Sequence, residues 1–244
     1  MANRIIDADG HICETKALWE EYVPRAYREQ TIRIERSADG QDRTWVNGVI
    51  REDLLPARAC VPNGMDDPDN PPTWSDITPG SHDGAARVAV LDEEGIERSL
   101  LFPSMYLLSG DIADVEVAAA ACHAYNEWIS DMCRDGSGRL DAVGLVPLQS
   151  VDAATKEVAH IAQLGLKGVA FRPERYNGMA LHDEALAPFW NAVAEQGLFA
   201  AVHGSFGSHM PSFANSRCEN TFFTHMICHP FEQMAGCLDI VAGG

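Results

Sequence analysis

Asp7, Asp9 and His11 alternate along RIIDADGH (4–11). In a β-strand, residues two apart project to the same face. All three side chains are therefore expected on one face, with His11 nearest the strand's C-terminal end. A carboxylate and an imidazole so placed can hold one divalent cation through an oxygen and a nitrogen. The same pattern also suits a buried aspartate that caps backbone and a hydrogen-bonded core histidine, so DxDxH alone does not choose. A second signal lies further on, where apolar LFAAV (198–202) runs directly into His203, Gly204 and Ser205. A histidine that ends an apolar strand is placed to be a third ligand. The two motifs together are more specific than either half.

Several other residues could take part. Arg172 closes LKGVAFRP (166–173). Its guanidinium could hold a substrate carboxylate through two parallel hydrogen bonds, or it could be salt-bridged at the rim of the fold. Both readings stay open. His225 and His229 are four apart in THMICHP, but the glutamate of HExxH is absent and Pro230 argues for a helix that starts there. His229 is therefore expected to face the substrate or support a ligand rather than bind zinc with His225. Glu232 could face the same site or favour a helix N-terminus through the dipole. Glu14 is expected to hold the loop after the first strand. Trp45 and Trp74 are expected to pack the segment around them, with a substrate entrance as the alternative. Met132, Met226 and Met234 are expected in the core, and Cys13 as a small buried residue. His82, His123, His160, His182 and His209 read as surface or helix-face residues.

The elements that must position these groups alternate. Apolar strands are expected at 4–11, 96–104, 139–148, 166–173 and 198–204. Amphipathic helices are expected at 85–95, 114–136, 150–165 and 183–197, with caps such as Ser150 and Asp183 and stops at Gly95, Gly165 and Gly197. Such alternation argues for βα units and a parallel sheet. Units of this length suit a (β/α)₈ TIM barrel. Residues 31–80 break the rhythm: they are polar and rich in Pro and Asp, and read as an insertion or loop over one face of a single domain, 1–244. Five strands leave either an open doubly wound sheet or an incomplete barrel, and an unclosed barrel would expose strand edges.

The residues that favour the incomplete barrel also carry a resemblance. IIDADGHICE, GLKGVAFRP, HDEALAPFWNAVAEQGLFAAVHG and HPFEQM…DIVAGG resemble the amidohydrolase-related family of the amidohydrolase superfamily, in its aminocarboxymuconate-semialdehyde decarboxylase-like branch. The resemblance runs through most of 1–30 and 85–244 and omits the insertion. It implies a (β/α)₈ barrel with a metal held by Asp9, His11 and His203. An Asp that ends strand eight in that family has no counterpart here. Some relatives use two metals bridged by a carboxylated lysine at the C-terminal end of strand four. Here Lys167 lies at the N-terminal end and Arg172 at the other, so one divalent metal is expected, zinc first and manganese as the alternative. The expected activity is non-oxidative decarboxylation of a small aromatic or unsaturated acid, with His229 and Arg172 as the candidate catalytic groups. Hydrolysis of a lactone or other ring is the alternative, and an inactive piece that lacks the last ligand is the third reading.

Composition narrows the partners. The 244 residues carry 18 basic and 36 acidic side chains, a net charge of −18. So negative a chain disfavours nucleic acid and anionic membranes, which leaves a small-molecule substrate and a possible homodimer. No apolar run is long enough to span a bilayer. Seven scattered cysteines without a CxxC pair read as reduced thiols in the cytoplasm.

Overall fold

In the computed structural model the described residues are 4–51, 73–204, 226–227 and 229–243. Five strands form one parallel sheet: β1 (Ile6–His11), β5 (Arg98–Phe102), β6 (Leu140–Leu145), β7 (Gly168–Phe171) and β8 (Phe199–Val202). Their spatial order, β1-β5-β6-β7-β8, is their chain order. A doubly wound sheet reverses its strand order at a switch point; this one never does. It is the wall of a (β/α)₈ barrel, with five strands among the described residues. Leu101, Val143 and Val169, on its inner strands, are fully buried. Ile6 and Phe199, on its two outer strands, are 63% and 42% exposed.

The helices follow the local punctuation of the sequence. Asp83 caps α1 (Gly84–Glu94) by accepting from the Ala86 N–H, and Gly95 ends it at φ 68°, a left-handed conformation that a residue without Cβ adopts at little cost. Asp114 caps α2 (Val115–Asp135) by accepting from the N–H groups of Glu116 and Val117. Ser150 caps α3 (Val151–Gln163), and Asp183 caps the short turn that leads into α4 (Ala187–Glu195). Helix α5 (His229–Gly243) begins with Pro230 in its first turn, where the missing N–H costs nothing.

Helix α2 supplies much of the core. Val117, Ala121, Ala124, Tyr125, Ile129 and Met132 form its buried face, and it packs on β6. Met226 and Met234 do not join that core: they are 57% and 64% exposed. Helical spacing placed them on an apolar face, but spacing does not say whether anything covers that face. Asn126 is the polar member of the buried stripe. Its Oδ1 accepts from the Leu145 N–H at 2.7 Å, and its Nδ2 donates to the Leu145 carbonyl at 2.9 Å and to Glu157 Oε1 at 2.8 Å.

The 31–80 segment is not all loop. Its described part holds an antiparallel meander, β2 (Arg33–Arg36), β3 (Asp42–Val46) and β4 (Val49–Arg51). Asn47 and Gly48 join β3 to β4 with φ of 56° and 74°, the two-residue turn whose twist matches a hairpin. The Asn47 side chain bonds the Asp111 carbonyl and the Ala113 N–H, and Arg51 pairs with Asp111 at 2.8 Å. The meander is thereby docked on the loop that follows β5. Beside it is a cavity of about 400 Å³ lined by Glu14, Trp19, Arg33, Trp74 and Tyr106 among others. Trp74 therefore faces a cavity, while Trp45 stacks beneath the Arg33 guanidinium.

Glu14 ties the loops after β1 and β5 together. Its buried carboxylate accepts from the N–H groups of Ser104 (2.9 Å), Met105 (2.9 Å) and Tyr106 (3.1 Å), which open the helical turn Met105–Asp111. This is the loop-holding role expected of it.

Two substitutions test this framework. Asn126→Ala leaves both polar groups of Leu145 unpaired inside the core and is expected to cost about 3 kcal/mol. Glu14→Ala strips three N–H groups, two of them buried, of their acceptor and is expected to cost a similar amount, about 3 kcal/mol. Urea unfolding of each variant checks both values. A loss under about 1 kcal/mol would mean that the groups find other partners.

Candidate metal centre

β1 is not a regular strand. Ile6 and Asp7 pair with Arg98 and Ser99, but Gly10 pairs with Leu101, so β1 carries one extra residue between Asp7 and Gly10. This bulge breaks the alternation. Asp7 therefore leaves the face expected of it. Its Oδ2 accepts from the Ser99 hydroxyl at 2.7 Å and lies 3.7 Å from Arg87 Nη2 on α1. A Cβ at Gly10 would meet those same three side chains at 2.3 to 2.8 Å. Asp7 thus shares the helix-facing side with the bare Gly10. Asp9 lies within the bulge and His11 follows it, and their side chains still reach one point, with Asp9 Oδ1 3.8 Å from His11 Nε2.

His203 follows β8, and its N–H donates to the Phe171 carbonyl at 2.9 Å. It meets His11 from the far side of the sheet. The two Nε2 atoms are 3.2 Å apart, with ring planes at 75°. Asp9 Oδ1 lies 3.3 Å from His203 Nε2 and 3.8 Å from His11 Nε2. These three residues form one of two groups among the described residues whose ligand atoms could share a cation. β1 and β8 are the outermost strands of a five-stranded sheet. Laid flat, their backbones would be about 19 Å apart. Only a sheet curled like a barrel wall brings their tips together.

The hydrogen bonds fix which nitrogen each ring presents. His203 Nδ1 is 2.6 Å from the Gly204 carbonyl, which can only accept, so Nδ1 carries the hydrogen and Nε2 the lone pair. The Ser104 hydroxyl donates to the Ile12 carbonyl at 2.6 Å. It is therefore left to accept from His11 Nδ1–H at 3.3 Å, which again frees Nε2. Burial, and then the nearness of His203, hold the His11 imidazole below its usual pKa despite Asp9. A neutral His11 is the form that ligates metal. Two imidazole lone pairs and a carboxylate oxygen at these separations fit a divalent cation: nitrogens about 2.05 Å from a tetrahedral ion lie about 3.3 Å apart.

The support around these candidate ligands was only partly visible in sequence. Arg87 Nη1 donates to the His11 carbonyl at 3.1 Å and holds the end of β1. Ser104 and Arg87 stand far from either motif in the chain, and no spacing rule points to them. His229 opens α5 against Gly204, where a Cβ would fall 2.6 Å from the imidazole Cε1 and Nε2. It is thus the neighbour of the His203 loop. His225 lies outside the described residues. Lys167 is at the opposite end of β7 from the ligands, with its amine 3.7 Å from Asp141.

Arg172 is 1% exposed and is ion-paired with Asp111 and with Glu174. Burial works against its charge, but Glu174 and Asp111 outweigh burial and raise its pKa. Of its two expected roles, this geometry is that of the salt-bridged rim arginine. Through Asp111 it shares the loop on which the meander docks.

Comparison with known proteins places this geometry. The amidohydrolase family profile matches residues 6–229. No curated protein matches. Among solved structures, an amidohydrolase from Mycobacterium avium subsp. paratuberculosis K-10 is similar at 20% identity and TM-score 0.77, covering 100% of this chain and 69% of that one. A 2,6-dihydroxybenzoate decarboxylase from Rhizobium is similar at 17% identity and TM-score 0.58, covering 99% and 62%. A dihydroxybenzoic acid decarboxylase from Polaromonas sp. JS666, with bound manganese and the inhibitor 2-nitroresorcinol, is similar at 18% identity and TM-score 0.58, covering 98% and 60%. The chain thus spans 60% to 69% of the length of these structures. The match covers nearly all of the chain and the five-stranded parallel wall accords with it: this chain belongs to the amidohydrolase family.

Proposed function

We propose that this chain carries the metal-binding wall of a non-oxidative decarboxylase that acts on a small aromatic or unsaturated carboxylic acid. The observation that carries the reading is the convergence of Asp9, His11 and His203 on one point. Two of the similar structures are decarboxylases of hydroxylated benzoic acids, which supports the substrate class. A divalent cation there would supply Lewis-acid stabilisation of the charge that develops as the carboxyl group leaves. Zinc suits the two-nitrogen, one-oxygen donor set, and the manganese-bound relative makes manganese the other candidate.

The protein's own groups do the positioning. Ser104 and Gly204 orient the two imidazoles so that both present Nε2. Arg87 fixes the end of β1 from which His11 projects. His229, packed at Gly204, is the imidazole assigned to exchange a proton with the bound acid. Arg172 holds the rim through Asp111 and Glu174, so its contribution is to position the loop after β5. Among the described residues Cys122, Cys133 and Cys237 form no disulfide, which supports a reducing compartment such as the cytoplasm. No helix among the described residues is long and apolar enough to cross a membrane.

Ring hydrolysis is the second reading, because the buried Arg172 is not presented to a substrate carboxylate. The test is CO2 release from a panel of hydroxybenzoic and unsaturated acids, with Zn2+ or Mn2+ supplied. Decarboxylation requires one CO2 per acid consumed, and its loss in His11→Ala and His203→Ala along with the bound metal. Lactone opening without CO2 would assign the hydrolase instead. Metal-loaded protein that does neither would remove both readings.

A further inference from the structure

A second cluster lies on the outer helical layer, and the decarboxylase reading makes no use of it. His123 and Glu127 are four apart on α2; Glu157 and His160 are three apart on α3. Residues at these spacings share a helix face, and here the two faces meet. The imidazoles of His123 and His160 stack with centroids 4.2 Å apart. His160 Nε2 lies 3.0 Å from Glu127 Oε1. That nitrogen is shielded from solvent yet makes no hydrogen bond of acceptable angle, even to this near neighbour. One ligand atom from each of His123, Glu127 and His160 lies within 4.8 Å of the others.

The surroundings have the form of a metal ligand's support. His123 Nδ1 faces Glu157 Oε2 at 3.3 Å. Asn126 donates to the other Glu157 oxygen at 2.8 Å and is itself anchored on the Leu145 backbone. A histidine that gives Nδ1–H to a fixed carboxylate is oriented to ligate through Nε2. We propose that His123, Glu127 and His160 form a second binding site for a divalent transition-metal ion of the zinc class, with Glu157 orienting His123. The His160 ring must turn about its Cβ–Cγ bond to aim its lone pair at the point that the fixed His123 Nε2 faces, and that torsion is soft. Bound metal would clamp α2 to α3 on the outside of the wall, away from the ligands on β1 and β8.

The test is a Zn2+ titration of the metal-stripped full chain against a chromophoric chelator. His160→Asn is expected to lower the number of ions bound by one, with circular dichroism confirming an unchanged fold. Glu127→Gln, at a half-exposed position, is the second variant and is expected to do the same. Glu157→Gln is expected to keep the stoichiometry and weaken one site by about 10–100-fold. In the His11→Ala/His203→Ala background one ion remains, and His160→Asn then abolishes binding. A stoichiometry that neither His160→Asn nor Glu127→Gln changes overturns the proposal, whatever becomes of the site on the strands.

Discussion

Two imidazole nitrogens, each with its lone pair exposed, face one another 3.2 Å apart across the mouth of the sheet, with a carboxylate oxygen beside them. Such lone pairs repel unless a proton or a cation lies between them. The hydrogens that would otherwise relieve the contact are engaged on Nδ1 of both rings, by the Gly204 carbonyl and the Ser104 hydroxyl. The contact also constrains the whole architecture. It joins the first and last strands of a five-stranded sheet, and it exists only because the sheet curls through the arc of a barrel. Fold and site are thus two views of one curvature.

The groups that hold this arrangement are charged side chains, Glu14 and Arg172 buried and Arg87 half-buried. Glu14 spends its carboxylate on three backbone N–H groups after β5. Arg87 reaches from α1 to the last carbonyl of β1, and Arg172 reaches from the end of β7 to Asp111. An unpaired charge in such places would be costly. Each instead pins a loop at the strand ends where the ligands project. The loops therefore act as a fixed rim, which is what an ion site needs if its ligands are to stand ready before the ion arrives.

Much of this was legible in the sequence, for local reasons. Helix limits follow from single capping residues, so Ser150, Asp183, Gly95 and Pro230 announce them. DxDxH and VHG announce the candidate ligands Asp9, His11 and His203, because a strand tip is a local property. Asp7 misled for an equally local reason: alternation holds only while the strand is regular, and the bulge before Gly10 depends on pairing with β5. The β3–β4 hairpin was readable from Asn47-Gly48, yet the prolines and aspartates around it suggested loop alone. What no single-strand or single-helix pattern shows is tertiary register. Ser104 under His11, Arg87 behind it, and His123 against His160 each require knowing which faces meet. Met226 and Met234 show the converse, since apolar periodicity marks a face without saying what lies on it.

The most direct measurement is anomalous diffraction from crystals of the protein grown with Mn2+ or Zn2+, collected at the metal's absorption edge. The account requires a peak bounded by Asp9 Oδ1, His11 Nε2 and His203 Nε2, at about 2.0–2.2 Å from each. No density there, with the two imidazoles turned apart, would contradict it and leave a barrel wall without the centre proposed for it.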